Sequence, residues 1–251
     1  MAAKNKTAIS FGLVHIPVKL FLAQKQHDIG FNLLHTKCKE RIKYQKYCTT
    51  CDEEIENNEI VKGYEYEPEA YVTFDEQELA ELKAPRNQTI EIVSFVIQAE
   101  IDPIYYEKTY FLTANGSEKA FSLLKAVLEK EKKVAIAKTV IGFKDQLVAL
   151  RFGYGGILMS TLFFENELRL ENPVIDIKLS KEELAMASKL VASMSGEFQP
   201  EDYQDEYLAR VEKAIDEKLA GKKITTAKNK APASIDNLME ALQASIKTGK
   251  K

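Results

Sequence analysis

The side chains best able to do chemistry cluster in one stretch, His35-x2-Cys38-x9-Cys48-x2-Cys51. Zinc takes four thiolate or imidazole ligands in a tetrahedron, and a two-residue spacing lets each pair chelate from a tight turn. The pattern therefore admits a structural zinc held by His35, Cys38, Cys48 and Cys51. A redox-active Cys48–Cys51 pair and three plain reduced thiols remain open beside it. A zinc-dependent enzyme on the same cluster would need an open coordination position and a nearby general base, and the sequence shows neither. Interleaved with these residues run Lys37, Lys39, Arg41 and Lys43, followed by Lys46. Period-two spacing predicts a strand with four cations on one face, about 7 Å apart. Such a row matches a phosphate backbone and offers little for base readout, though a solvated strand face has the same pattern.

Other reaction centres are sparse. There is no GxSxG, no GxxxxGK[ST] and no HExxH, and His15 and His27 lie near no nucleophile motif. Gly153-Tyr154-Gly155-Gly156 lacks the Lys-Ser/Thr of a phosphate loop and reads as a hairpin turn. Asp102-Pro103 reads as a turn into an aromatic strand, and the acidic run at 52–56 lacks the spacing of a calcium loop. The residues do not call for an enzyme.

The elements that must position these groups are mostly strands over the first 170 residues. Segments 8–15 and 18–24 flank Pro17, read as a strand break or edge. Segments 59–66 and 71–74 flank a turn at Glu67-Pro68, and 90–97 alternates on either side of Val93-Ser94. Segments 105–113, 134–143, 147–152 and 157–164 follow, with Asn115-Gly116 as a turn. Two helices interrupt, near 75–83 and at 117–132 with Phe121, Leu124, Val127 and Leu128 on one face. So many strands suggest a barrel or sandwich. From Ser180 the period becomes helical: Ser180-Lys181-Glu182-Glu183 is a capping box. Pro200 suits the first turn of a second helix running to Gly221. A basic linker at 222–233 precedes an amphipathic segment with Ile235, Leu238, Met239, Leu242 and Ile246 at helical spacing. A helix that short needs a surface, its own chain or a partner's groove. Three divisions follow: 1–178 a barrel core with a basic extension at about 30–62, 179–221 a helical arm, and 222–251 the linker and terminal helix.

With 251 residues, 45% hydrophobic and 29% charged, the chain can bury a sizeable core. No apolar run has the roughly 18 residues of a membrane span, and three Cys argue against a disulfide scaffold. The net charge of −3 points away from nucleic acid, but it is an average over blocks. Residues 1–51 carry nine Lys/Arg against two acids, 52–131 seven against nineteen, and 132–151 five against one. Residues 152–217 carry six against fourteen, and 218–251 eight against two. That segregation suits a cationic face within an acidic exterior, unless the blocks interleave in space and cancel.

Several ordered motifs resemble the bacterial Ku family. They are Ile9-Ser10-Phe11-Gly12-Leu13-Val14-His15-Ile16-Pro17-Val18-Lys19-Leu20-Phe21, Ile60-Val61-Lys62-Gly63-Tyr64-Glu65-Tyr66 and Glu100-Ile101-Asp102-Pro103-Ile104-Tyr105-Tyr106, then Val134-Ala135-Ile136-Ala137-Lys138 and the capped helix through Gly196-Glu197-Phe198. The resemblance covers residues 8–247. It implies a mixed β/α fold: a Ku-type β-barrel with a long strand extension (the bridge), a helical C-terminal region and a ring-shaped homodimer. It implies sequence-independent binding of double-stranded DNA ends in non-homologous end joining. It also implies recruitment of an ATP-dependent DNA ligase, no catalysis, no required cofactor beyond the possible zinc, and a cytoplasmic, nucleoid-associated location. The basic inner surface carries over to Lys19, Lys37, Lys39, Arg41, Lys43 and Lys46, with Lys138 and Arg151 weaker, and the ligase surface to the 235–246 helix. The family's Trp-Lys-Gly opening is replaced by Asn5-Lys6-Thr7. Many members carry a long Lys-rich tail; this chain ends at Lys250-Lys251, which implies less auxiliary DNA affinity.

Overall fold

The computed structural model describes residues 5–25, 28–81, 89–141, 144–169, 171 and 177–223, with Leu242 and Ser245. The chain divides into two compact units, Met1–His27 with Phe31–Leu170, and Asp28–Gly30 with Glu171–Lys251.

The first unit is built on a closed seven-stranded barrel. Its strands are β1 (Asn5–Phe11), β2 (Val14–Leu22), β7 (Thr89–Ile97), β8 (Tyr106–Ala114), β9 (Lys133–Ile141), β10 (Lys144–Gly153) and β11 (Gly156–Leu162). They close in the order β1-β2-β8-β11-β10-β9-β7, with β1 and β7 the parallel pair and every other pairing antiparallel. Alternation explains the interior: Ile16, Val18 and Leu20 of β2 point inward with Ile9, Ile90, Tyr110, Leu112, Val148, Leu150, Ile157 and Met159. Helix α2 (Glu118–Glu131) adds Leu124 and Leu128 to the same cluster while touching β2, β8, β9 and β10, so it caps one mouth of the barrel. A second cluster covers the outer face. Val134, Ala149 and Leu162 are buried there beneath Ile101, Tyr105 and Tyr106, from the turn before β8 and its first residue. With both faces covered, β11 is a nearly continuous buried run. Its buried hydroxyls are satisfied: Ser160 Oγ lies 3.0 Å from Thr109 Oγ1, and Thr161 Oγ1 donates to Glu107 Oε2.

Outside the barrel lie β3 (Tyr47–Cys48) with β4 (Glu53–Glu54), and β5 (Lys62–Glu67) with β6 (Ala70–Phe74). Helix α1 (Glu76–Glu81) follows, with Asp75 Oδ1 accepting from the Gln77 and Glu78 amides. In the second unit α3 (Lys181–Met194) carries the expected capping box, Ser180 Oγ accepting from the Glu183 amide and Glu183 accepting from Ser180. The helix α4 (Glu206–Leu219) starts later than Pro200 suggests. Pro200 opens a short 3-10 turn, and Asp205 caps α4 by accepting from the Tyr207 and Leu208 amides.

One strand expectation is corrected. Pro17 does not break a strand: β2 runs through it, and the turn falls at Gly12-Leu13, where Gly12 has φ 57. The Pro17 carbonyl accepts from the Asn115 amide just past the end of the β2–β8 ladder, so the missing N–H forfeits no ladder bond. Within the expected extension at about 30–62 the described strands are short. Residues 31–61 form two short hairpins, one closed by the Leu34–Arg41 bridge and one by β3 and β4.

Candidate nucleic-acid interface

The first hairpin positions Lys37, Lys39 and Arg41. His35 N donates to Glu40 O at 2.9 Å and Ile42 N to Leu33 O at 3.2 Å, which puts Lys37 and Lys39 in the tip. Lys39 has φ 61, a left-handed conformation, and only Arg41 sits in a bridge. The expected four-cation face on one strand is therefore overturned: the chain reverses inside the run, so period two does not apply. What the structure keeps is exposure. Lys37, Lys39, Arg41, Lys43 and Lys46 all face solvent, and none has a carboxylate partner among the described residues, whose two ion pairs are Lys108–Glu107 and Arg210–Glu206. Lys46 is tied by a hydrogen bond from Nζ to Asn57 Oδ1. The acidic side of the second hairpin is occupied internally, with Gln45 donating to Glu54 and Tyr47 to Asp52.

On the barrel, Lys19 alternates with inward Val18 and Leu20 and so stands on the outer face of β2. Its register partners are Lys6 on β1 and Thr113 on β8. Lys6 is the residue that sequence reasoning missed; placing the turn at Gly12-Leu13 would have found it opposite Lys19. Two cations directly across a ladder repel, and an anion between them relieves that cost. Lys138 is different. Its cross-strand neighbour on β7 is Glu91, and one row of side chains runs His15, Ser10, Glu91, Lys138 across four strands. These residues line an open cleft of about 490 Å³ with Thr89, Thr139, Val140 and Asp145. Glu91 offsets much of the attraction of Lys138 for phosphate. Arg151, four residues along β10 from the partner of Lys138, is half-buried. Its Nη1 and Leu158 both lie against Gly153, where an added Cβ would meet each at 2.9 Å. Burial raises the Tyr106 hydroxyl above the usual phenol range, against the pull of Arg151. Arg151 also lines a cleft of about 440 Å³ with Lys132, Lys133 and Glu129.

His35 and Cys38 meet, with Nδ1 and Sγ 3.1 Å apart. Cys48 and Cys51 also meet: the Cys51 and Thr50 amides and the Cys51 thiol hold the Cys48 thiol low, and Cys51 is raised in turn. The two pairs do not merge, for no three His, Cys, Asp or Glu residues are grouped to hold a metal among the described residues. Nothing in this arrangement supports a zinc-dependent enzyme. Of the terminal-helix residues, Leu242 is helical and half-buried, whereas Ile235, Leu238, Met239 and Ile246 lie outside the described residues. Among the described residues no helix is long and apolar enough to cross a membrane.

The first unit is thus a capped barrel that sends an exposed basic hairpin out of the chain between β2 and β7. The family model for the Ku70/Ku80 beta-barrel domain matches residues 10–186. The chain is 38% identical over 249 residues to the non-homologous end joining protein Ku of Lachnoclostridium phytofermentans, covering 98% of this chain and 97% of that one. It is 39% identical to that of Desulfitobacterium hafniense over 96% of this chain and 86% of the relative. It is 36% identical to that of Archaeoglobus fulgidus over the full length of both. The chain belongs to the Ku family.

Proposed function

We propose that this chain binds double-stranded DNA ends without sequence preference, as a homodimeric ring, in double-strand break repair by non-homologous end joining. The observation that carries the reading is the hairpin segment within a family-matched barrel. Residues 31–51 hold five cations against Glu40 alone, all exposed and none with a carboxylate partner among the described residues. Phosphate contacts of that kind position a duplex without reading its bases. A second chain supplies the other half of the ring, so that Lys19 and Lys6 of the barrel and Lys37, Lys39, Arg41, Lys43 and Lys46 of the hairpins face the DNA. Lys138 and Arg151 contribute less, being offset by Glu91 and half-buried respectively. The ring works in the cytoplasm at the nucleoid, threads only from a free end and performs no catalysis. The segment bearing Ile235, Leu238, Met239, Leu242 and Ile246 recruits an ATP-dependent DNA ligase.

The test is competition between linear duplex and closed circular duplex of the same sequence. Linear DNA is expected to win decisively, and equal affinity would sink the ring. Deleting residues 234–251 should spare loading on ends and abolish ligase stimulation; stimulation that survives would remove the terminal segment from the partner surface.

A further inference from the structure

The Cys/His motif takes no part in the DNA-end reading, and its backbone carries more than its spacing. Residues 35–39 and 48–52 are two copies of one turn. In each, the first carbonyl accepts from the fifth amide, Lys39 N to His35 O at 2.8 Å and Asp52 N to Cys48 O at 2.9 Å. In each, the fifth residue is left-handed, with φ 61 at Lys39 and 58 at Asp52. Lys39 lacks glycine's freedom there, so the first turn is held against a backbone preference, whereas Asp52 tolerates the left-handed region. Positions one and four of the repeated turn are His35 and Cys38 in one copy, Cys48 and Cys51 in the other.

Within the first turn the pair already stands near ligating separation. Zn–N and Zn–S bonds of about 2.0 and 2.3 Å at a tetrahedral angle put two ligand atoms about 3.5 Å apart. His35 Nδ1 and Cys38 Sγ are 3.1 Å apart.

A second observation is independent of the motif. Residues 31–61 contain no buried side chain; only Cys48 and Ile55 are even half-covered. Their regular structure amounts to two strands of two residues and one short 3-10 turn. A module that small, without a core, draws its stability from a disulfide or a metal. Three cysteines leave one over from any disulfide, whereas one zinc engages all four groups.

The geometry points to a structural zinc site in which His35, Cys38, Cys48 and Cys51 close on one ion and join the two turns. The two ligand pairs stand apart, so binding swings one hairpin tip onto the other about residues 43–45, which lie between the ladders. Up to three thiol protons leave to solvent as the thiolates form, and His35 binds as the neutral imidazole. The closed module fixes Lys37, Lys39 and Arg41 relative to the second hairpin.

The test is a cobalt titration of the full-length, reduced chain, read by absorption. One equivalent per chain should give the intense visible bands of tetrahedral cobalt with thiolate charge transfer, and zinc should displace it. Cys38→Ser and Cys48→Ser should each abolish that spectrum while unfolding in urea at the wild-type midpoint, since the barrel core holds neither residue. A weak octahedral spectrum would overturn the site, and so would a wild-type spectrum in Cys38→Ser. DNA binding plays no part in this readout, so the site and the DNA-end function stand or fall separately.

Discussion

Neutralising Lys39 and Arg41 separates a phosphate-contacting hairpin from a merely solvated one. Lys39→Asn respects the left-handed backbone, which Asn tolerates, and Arg41→Gln retains a long polar side chain at the bridge. Both side chains are exposed, so the double variant should melt with the wild type. Each lost phosphate contact flattens the log–log salt dependence of binding by about 0.9. Two contacts per chain in a two-chain ring make about 3.6 in total. Over a fourfold rise from about 50 to about 200 mM salt, wild-type affinity should therefore fall about 150-fold further than that of the variant. Fluorescence anisotropy on a short duplex across a salt series measures this directly. A slope flattened by about half as much would mean that only one hairpin engages the duplex. A slope equal to the wild type would refute the reasoning, because charges that touch phosphate cannot be removed without changing the number of counterions released.

Three further outcomes concern the scaffold. Gly153→Ala should cost about 1–3 kcal/mol in urea unfolding; the Arg151 guanidinium can move away from the new Cβ, but Leu158, 1% exposed, cannot. Tyr106→Phe should leave stability unchanged or raise it by about 1 kcal/mol, because the Tyr106 hydroxyl is buried without a hydrogen-bond partner; a clear loss would mean the hydroxyl has a partner in the assembled protein. Ser180→Ala should weaken α3 by about 1 kcal/mol, seen as faster amide exchange over its first turn. Hydrogen bonds from Ser180 hold the Glu183 carboxyl below the usual carboxylate range. Its folded-state pKa is depressed, so its contribution is complete above the unfolded carboxylate pKa and is lost as pH falls through the folded value. Acid should therefore unprotect the same amides, and protection that persists in acid would show that the carboxylate is not what holds the cap.

The barrel was readable wherever an element's own alternation decided its fate. In β7 the period slips at Val93-Ser94, and the structure has its bulge between Ile92 and Ser94. The glycine-rich turn at 153–156 became a two-residue hairpin loop, with Tyr154 and Gly155 both left-handed. The failures lie where a partner decides. Pro17 resembles a strand break until β8 is seen to end beside it. Strands β5 and β6 are as aromatic as the barrel strands, yet pair only with each other, because pairing partners are not encoded in a strand's own pattern.

The basic run shows that limit most sharply, because there two periodicities share the same residues. Lys37, Lys39, Arg41 and Lys43 alternate as a strand would, but His35 and Cys38 are spaced for a tight turn, and the two demands cannot both be met. The turn prevails: Lys39 N bonds to His35 O, and Lys39 takes the left-handed backbone that ends it. Alternation in a strand is enforced by burial of one face, and residues 31–47 bury nothing, so no energy stands behind the period-two reading. A local hydrogen bond needs no such backing. Charge patterns in an unburied segment therefore report what the segment can attract, while its shape follows from its turns.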